Sequence, residues 1–392
     1  MFNVLALNKM STTGLSHFPA SHYKISPDMN APDAILVRSQ SMLDMTIPVS
    51  VRVIGRAGVG VNNIPVAQLT KMGIPVMNTP GANANAVREL VIAGMLLACR
   101  NICQAWNYAA HLNAQDEQLE KEIEQNKKQF VGFEIQGKTL GVIGLGSVGV
   151  KVANAAINLG MRVIGYDPTI SVNRAWELSS SVQQARQLGE VLSQADFITL
   201  HVPLIPETRH MINAIAISQM QQGIVLLNFS RDEIVDNQAV LDAIKEIKIR
   251  AYVSDFPSTS LINHPNVISL PHIGASTYEA EENCAVMIVK QVRDFLETGA
   301  ITNSVNFPTV ETNGFQSGSR IAIVNENIPN MVAQISSKLA SANLNILSLL
   351  NKSRDEIAYT LLDVNTNVSL AVLQEISRIP GVIQVRKLEK IE

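Results

Sequence analysis

Two residues in the second half of the chain have the types that acid-base chemistry on a small anion needs: Arg231 in NFSRDEIVD and His272 in LPHIGAST. A neutral imidazole takes up or returns a proton near pH 7. A guanidinium holds a carboxylate through two parallel bonds and so fixes the neighbouring carbon. Together they suit the oxidation of a 2-hydroxy acid, in which a hydride leaves carbon and a proton leaves oxygen. Each has a plainer reading as well, Arg231 as a loop ion-pair partner and His272 as a core histidine behind a proline. A carboxylate on the far ring nitrogen would set the tautomer of His272 and stabilise the imidazolium. Between Glu246 and Glu279, however, the only acid is Asp255, and SDFPSTSLINHP offers Ser258, Thr259 and Ser260 instead.

A hydride needs an acceptor, and GVIGLGSVG supplies a place for one. Gly144, Gly146 and Gly149 have the G-x-G-x-x-G spacing directly after a strand-like run and at the head of a helical one, so helix amides can approach a pyrophosphate. The next strand-like run, RVIGYD, ends in Asp167, where an acid can accept the adenosine ribose hydroxyls. Asp167 repels a 2′-phosphate and DPTIS holds no arginine to welcome one, which favours NAD over NADP. Upstream, VIGRAGVGVNNI followed by GIPVMN imitates this pattern, but Gly55, Gly58 and Gly60 are wrongly spaced and the second strand ends at Asn78. That turn is expected to face substrate.

The elements that must position these residues follow from hydrophobic runs. From residue 139 onward, β-branched runs (TLGVIG, RVIGYD, DFITL, IVLLN, AYVSD, NVISL) alternate with helical patterns, as in an α/β fold with a Rossmann-type, doubly wound parallel sheet. AILVRS, VRVIGRA and IPVMN predict a second, smaller α/β unit of flavodoxin-like kind. EENCAVMIVKQVRDFLETG predicts a long helix closed by Gly299. Polar, turn-rich residues 303–318 read as a linker, and RIAIVNE onward predicts a βαββαβ order in residues 319–392, a ferredoxin-like unit. The charged run QDEQLEKEIEQNKK reads as a solvated helix face.

Composition narrows the classes. The 392 residues carry a formal net charge of −3, with 46% hydrophobic and 17% charged residues, which fits a folded protein and gives nucleic acid no basic surface. The start lacks a signal-peptide pattern and the longest apolar run, nine residues, is too short to span a bilayer, so no membrane partner is expected. Three scattered cysteines make neither a disulfide framework nor a metal site, and they fit the cytoplasm.

ILVRS, GVGVNNI, NTPGANANAVREL, GKTLGVIGLGSVG, HVPLIPETRHMIN, NFSRDEIVD and LPHIGAST together resemble the D-isomer-specific 2-hydroxyacid dehydrogenases, and within them the phosphoglycerate-oxidising branch with a C-terminal ACT domain. The resemblance implies NAD-dependent oxidation of D-3-phosphoglycerate to 3-phosphohydroxypyruvate at the entry to serine synthesis. It implies a substrate domain of residues 1–93 and 272–302, an NAD domain of 94–271 and an ACT domain of 319–392. By the same resemblance Arg231 binds the substrate carboxylate and His272 carries the proton. The cofactor site takes in Ser147, Val148, His201, Pro203, Phe229, Ser230, Asp255 and Gly274 beside the glycines and Asp167. Arg38, Gly58 and Val59 meet the substrate, with Arg56 and Lys9 as further cations. The chain departs from the family at Gln40, where some relatives carry a cation, and at the missing histidine-bound glutamate, expected near Thr259 or Ser260. It departs again at Asp232, which replaces a glycine and is expected to tolerate a left-handed backbone. In the tail, Asn327 and Asn345 match asparagines that bind an amino acid, L-serine in some relatives, between paired domains, while Asn325 and Asn330 replace a histidine and a glycine. The expected assembly is a homo-oligomer, dimer or tetramer. Two rival readings stand beside this one: another D-2-hydroxyacid dehydrogenase, and a catalytically weak NAD and amino-acid sensor.

Overall fold

Parallel strands with both faces covered make up the first half of the architecture. The computed structural model describes residues 1–7, 9–113, 116–312, 314 and 318–388; parts of the expected linker (313, 315–317), the head of the charged run and the last four tail residues lie outside the described residues. Contacts divide the chain into two units, Met1–Ala82 with Glu281–Glu392, and Asn83–Ala280. In the first unit, β1 (Phe2–Ala6), β2 (Tyr23–Ser26), β3 (Ala34–Val37), β4 (Val53–Arg56) and β5 (Val76–Met77) form a parallel sheet of order β2-β1-β3-β4-β5. Every residue of β3 is buried, the continuous apolar run that a sheet covered on both faces requires. The order turns back between β1 and β3, and ligands of such sheets bind at the carboxyl ends beside that reversal. Arg38 follows β3 directly and Arg56 is the last residue of β4.

The second unit begins with α1 (Ala84–Cys99), which buries Ala84, Val87, Val91, Met95 and Ala98 at helical spacing. After α2 (Ile102–Ala110) and α3 (Asp116–Asn126) come β6 (Thr139–Ile143), α4 (Ser147–Asn158), β7 (Arg162–Tyr166), α5 (Val172–Glu177), β8 (Gln183–Gln184), β9 (Phe197–Leu200), β10 (Ile224–Asn228), β11 (Ile249–Ser254) and β12 (Val267–Ser269). The parallel sheet runs β12-β11-β10-β9-β6-β7-β8. Its order reverses at β6, whose neighbours are β7 on one side and β9 on the other, the doubly wound arrangement.

A 21-residue helix, α6 (Tyr278–Thr298), returns the chain to the first unit, and Gly299 (φ +79°) closes it. Then β13 (Ser319–Glu326), α7 (Met331–Ser341), β14 (Ile346–Arg354), β15 (Ile357–Val364), α8 (Leu370–Ser377) and β16 (Val382–Leu388) build an antiparallel sheet of order β14-β15-β13-β16. Alternation along β13 serves two cores: Ile321 and Ile323 pack with Met331, Ile335 and Leu339, whereas Ala322 and Val324 join Ile288, Val292 and Phe295 of α6. This second face also caps the helix. Tyr359 Oη donates to Gly299 O (2.9 Å) and Arg320 Nη1 to Thr298 O (3.0 Å), satisfying carbonyls at the helix end, and Arg386 Nη2 adds a second donor (2.9 Å) to Phe295 O, which also accepts from Gly299 N. Arg320 is held in turn by Asp363 through two bonds of 2.6 and 2.8 Å.

Candidate active site

Three glycines of the β6–α4 turn are required for three different reasons. Gly144 has φ +92°, and a Cβ there would lie 2.6 Å from the His201 carbonyl. A Cβ on Gly149 would overlap the Gly144 carbonyl, so the third glycine lets helix and strand close up. Nothing lies within 4 Å of a Cβ on Gly146, which caps α4. That space adjoins the first-turn amides of Ser147, Val148 and Gly149, which a helix leaves without internal acceptors. A pyrophosphate fits there, and a side chain at 146 would fill its place. At the end of β7, Asp167 Oδ2 accepts from Leu145 N (2.8 Å) and Oδ1 from Thr169 N (2.8 Å) and Thr169 Oγ1 (3.1 Å), which aims the carboxylate along the turn while Oδ2 keeps capacity for a ribose hydroxyl.

The remaining expected cofactor and catalytic residues of this unit follow the carboxyl ends of β9, β10, β11 and β12, neighbours in the sheet. The His201 ring bonds Thr199 Oγ1 at 3.0 Å, and burial pushes its pKa down to about 3, so it is neutral. Pro203 is exposed, and its carbonyl accepts from Thr208 Oγ1 (2.6 Å). Phe229 and Ser230 are buried, with Ser230 Oγ donating to Leu200 O (3.0 Å). Arg231 is anchored by its own carbonyl, which accepts from Asn228 Nδ2 (2.8 Å), and burial lowers its pKa without discharging it. Asp232 corrects an expectation: its backbone is not left-handed, because it starts a short 3₁₀ turn (Asp232–Ile234) and accepts from Asn237 Nδ2 (3.1 Å).

His272 itself is left-handed (φ +56°), a conformation that costs a non-glycine residue energy and persists where its surroundings impose it. Asp255 imposes it here: Oδ1 accepts from Ile273 N (2.8 Å) and Oδ2 from Gly274 N (2.7 Å), while burial raises its pKa against the pull of those amides. The exposed imidazole meets Phe256 edge-on, ring centroids 5.0 Å apart. Thr259 is exposed, Ser258 and Ser260 bond each other (3.1 Å), and among the described residues no carboxylate hydrogen-bonds the His272 ring.

In the first unit, the second glycine-rich turn is built around a cation. Gly58 (φ +145°) lies under Arg56, whose Nη1 a Cβ at 58 would overlap. The Val59 carbonyl accepts from Asn78 Nδ2 (2.6 Å). Arg38 donates to Glu281 (2.5 Å), and Lys9 is exposed beyond β1. In the tail, Asn327 Nδ2 donates to Asp355 O (3.0 Å), and Asn345 N donates to Asn365 Oδ1 (3.1 Å). The register pairs Glu326 with Ile357 and Ile346 with Val364, and Asn327 and Asn345 lie one residue beyond these pairs, so the two asparagines stand at opposite ends of β15, about 30 Å apart. Asn330 takes the left-handed conformation (φ +72°) that explains why glycine is usual there.

Two residues escaped the sequence reading. Arg174, on α5, donates to Ser147 Oγ (2.9 Å) at the head of α4 and is steadied by Glu177 (2.7 and 3.0 Å), which brings a cation to the glycine turn. Glu281 is the other, and its 243-residue separation from Arg38 left no local signal.

Comparison with known proteins places these features. Residues 92–274 match the D-isomer specific 2-hydroxyacid dehydrogenase, NAD binding domain. A D-3-phosphoglycerate dehydrogenase of Haemophilus influenzae is 33% identical over 341 residues, 84% of this chain and 79% of that protein. One of Methanocaldococcus jannaschii is 38% identical over 312 residues, 77% of this chain; the matched segment spans only 57% of that longer relative. Among solved structures, an NAD+-bound 3-phosphoglycerate dehydrogenase of Entamoeba histolytica superposes with a TM-score of 0.61 at 24% identity, covering 78% of this chain and 98% of that one. A glyoxylate reductase of Paecilomyes thermophila gives 0.63 at 24% identity, with the same coverage of each chain. These structures share the fold. No helix among the described residues is long and apolar enough to cross a membrane, and no group of three or more potential metal ligands occurs among them.

Proposed function

Because the chain belongs to the D-isomer specific 2-hydroxyacid dehydrogenases, we propose that it oxidises D-3-phosphoglycerate to 3-phosphohydroxypyruvate with NAD, in the serine-forming direction. The observation that carries the reading is the shared carboxyl edge of one parallel sheet: the glycine cradle, Asp167, Arg231 and His272 all follow its strand ends. When bound, the dinucleotide supplies the hydride acceptor. Arg231 grips the carboxylate and orients C2, and His272 accepts the proton from the 2-hydroxyl. A second set of cations, Arg38 and Arg56, suits a substrate with a second anionic end.

The finer assignments belong to the same proposal. Residues 1–93 with 272–302 act as substrate domain, 94–271 as NAD domain and 319–392 as an ACT-type regulatory domain. Ser147, Val148, Gly149, His201, Pro203, Phe229, Ser230, Asp255 and Gly274 contact the cofactor, and Gly58 and Val59 the substrate. Asn327 and Asn345 serve an amino-acid effector such as L-serine; their separation within one chain means that one small ligand reaches both only across two copies. Leu96, Ile102, Trp106 and Val131, all exposed, supply an apolar face suited to assembly with a second copy. Three free thiols accord with the cytoplasm.

The test is NADH formation with D-3-phosphoglycerate against D-glycerate and D-lactate. A kcat/KM highest for the phosphorylated acid supports the reading, and a preference for D-lactate replaces it with another member of the family. One observation favours a second reading, a weakly active NAD and amino-acid sensor: among the described residues no carboxylate hydrogen-bonds the His272 ring. Tight NAD binding without turnover of any of the three acids would favour that alternative.

A further inference from the structure

Helix α6 opens with Glu279, Glu281 and Glu282, where the positive end of the helix dipole favours acids. Glu281 is committed: its Oε1 accepts from Arg38 Nη2 at 2.5 Å, in a pair with side chains 40% and 37% exposed. Arg38 stands at the carboxyl end of β3, beside the reversal in strand order, and Arg56 ends the neighbouring strand. Cys284, one turn beyond Glu281, is buried, and burial raises its pKa while the charges of Arg56 and Arg38 pull it down to a lesser degree. The far end of α6 is fixed by Arg320, Arg386 and Tyr359. A helix pinned at its C-terminus thus presents the Glu281 carboxylate to Arg38.

Resting on the reading of a phosphorylated substrate, we propose that Glu281 sets the affinity for anions at this site by acting through Arg38: its carboxylate occupies the guanidinium, and a ligand must compete with it. A phosphate dianion carries more charge and three acceptor oxygens, and so displaces a carboxylate. A second carboxylate on a hydroxy diacid merely matches Glu281 and gains little. The pair therefore weakens every anion at Arg38 by the same factor, so that only an anion gripping the guanidinium strongly enough to displace the carboxylate is held, a threshold set by an opposing charge rather than by an added contact.

The experiment compares the full chain with Glu281→Gln, Arg38→Ala and the double variant, each first shown by thermal melting to be folded. Calorimetry with inorganic phosphate reads the site directly, and steady-state kinetics with D-3-phosphoglycerate and D-malate read its effect on substrates. Glu281→Gln should tighten phosphate about threefold, the size that a partly exposed ion pair supports. It should lower KM for D-malate and for D-3-phosphoglycerate by similar factors with kcat held, and it should do nothing in the Arg38→Ala background. Weaker or unchanged phosphate binding in Glu281→Gln, or the same gain without Arg38, overturns the inference. Absence of D-3-phosphoglycerate turnover in the wild type would instead overturn the substrate reading, while the phosphate cycle still decides the role of Glu281.

Discussion

Two glycine-rich turns follow strands of similar sequence, GVIGLGSVG after β6 and VIGRAGVGV across β4, and they solve opposite problems. The first clears space: its middle glycine has open room beside helix amides, and its outer glycines let backbone approach backbone. The second fills space: Gly58 makes way for the Arg56 guanidinium, and Gly55 is closed in by Ile288, Leu36 and Val292. A turn that offers amides suits a diphosphate that brings its own charge, whereas a turn that offers a guanidinium suits the compact anion of a substrate. The difference lies in what a Cβ would meet, which glycine count alone does not reveal.

The largest expected effect tests whether the chemistry belongs beside the first turn. Arg231→Lys should cut kcat/KM by on the order of a hundredfold, because a point charge cannot reproduce the paired carboxylate bonds that orient C2. NAD affinity should stay within a factor of two of wild type. Equal losses in both would make Arg231 structural.

Next come the glycines. Gly149→Ala forces a Cβ onto a backbone carbonyl that cannot swing away, and should cost about 2 kcal/mol of stability in denaturant unfolding. Gly146→Ala meets nothing, so its unfolding midpoint should match wild type while NAD binds roughly tenfold more weakly, the methyl standing where the diphosphate approaches the helix amides. Were Gly146→Ala to bind NAD normally, the open space would not be the cradle.

A separate expectation concerns pH. His201, whose carbonyl abuts Gly144, has its folded pKa pushed down to about 3, below an unfolded value of about 6.5. The unfolded chain therefore binds the extra proton between these values. The stabilisation from keeping the ring neutral is complete above pH 6.5 and is lost as pH falls toward 3, at about 1.4 kcal/mol per pH unit at most. Stability of His201→Asn should decline less steeply over that window, and parallel curves would show that the ring titrates normally when folded.

Much of this was legible in the residues. Apolar runs such as IVLLN and AILV announced buried parallel strands, and Gly144, Gly146 and Gly149 announced the tight turn between β6 and α4, because both signals are local. Arg174 was missed because a helix folds it back onto Ser147, and Glu281 because it reaches Arg38 from a distant helix. The left-handed His272 was invisible for a related reason: Asp255 imposes it through amides eighteen and nineteen residues away. Asp232 misled through its type, since the tolerance of aspartate for a left-handed backbone says nothing about whether the turn uses it.

The most direct test of the division of labour between the two turns is one titration of NAD into the full chain, Asp167→Ala and Arg56→Ala. The account predicts that Asp167→Ala loses NAD affinity by on the order of tenfold, through the ribose acceptor, and that Arg56→Ala binds NAD as wild type does. An unchanged Asp167→Ala together with a weakened Arg56→Ala would contradict it.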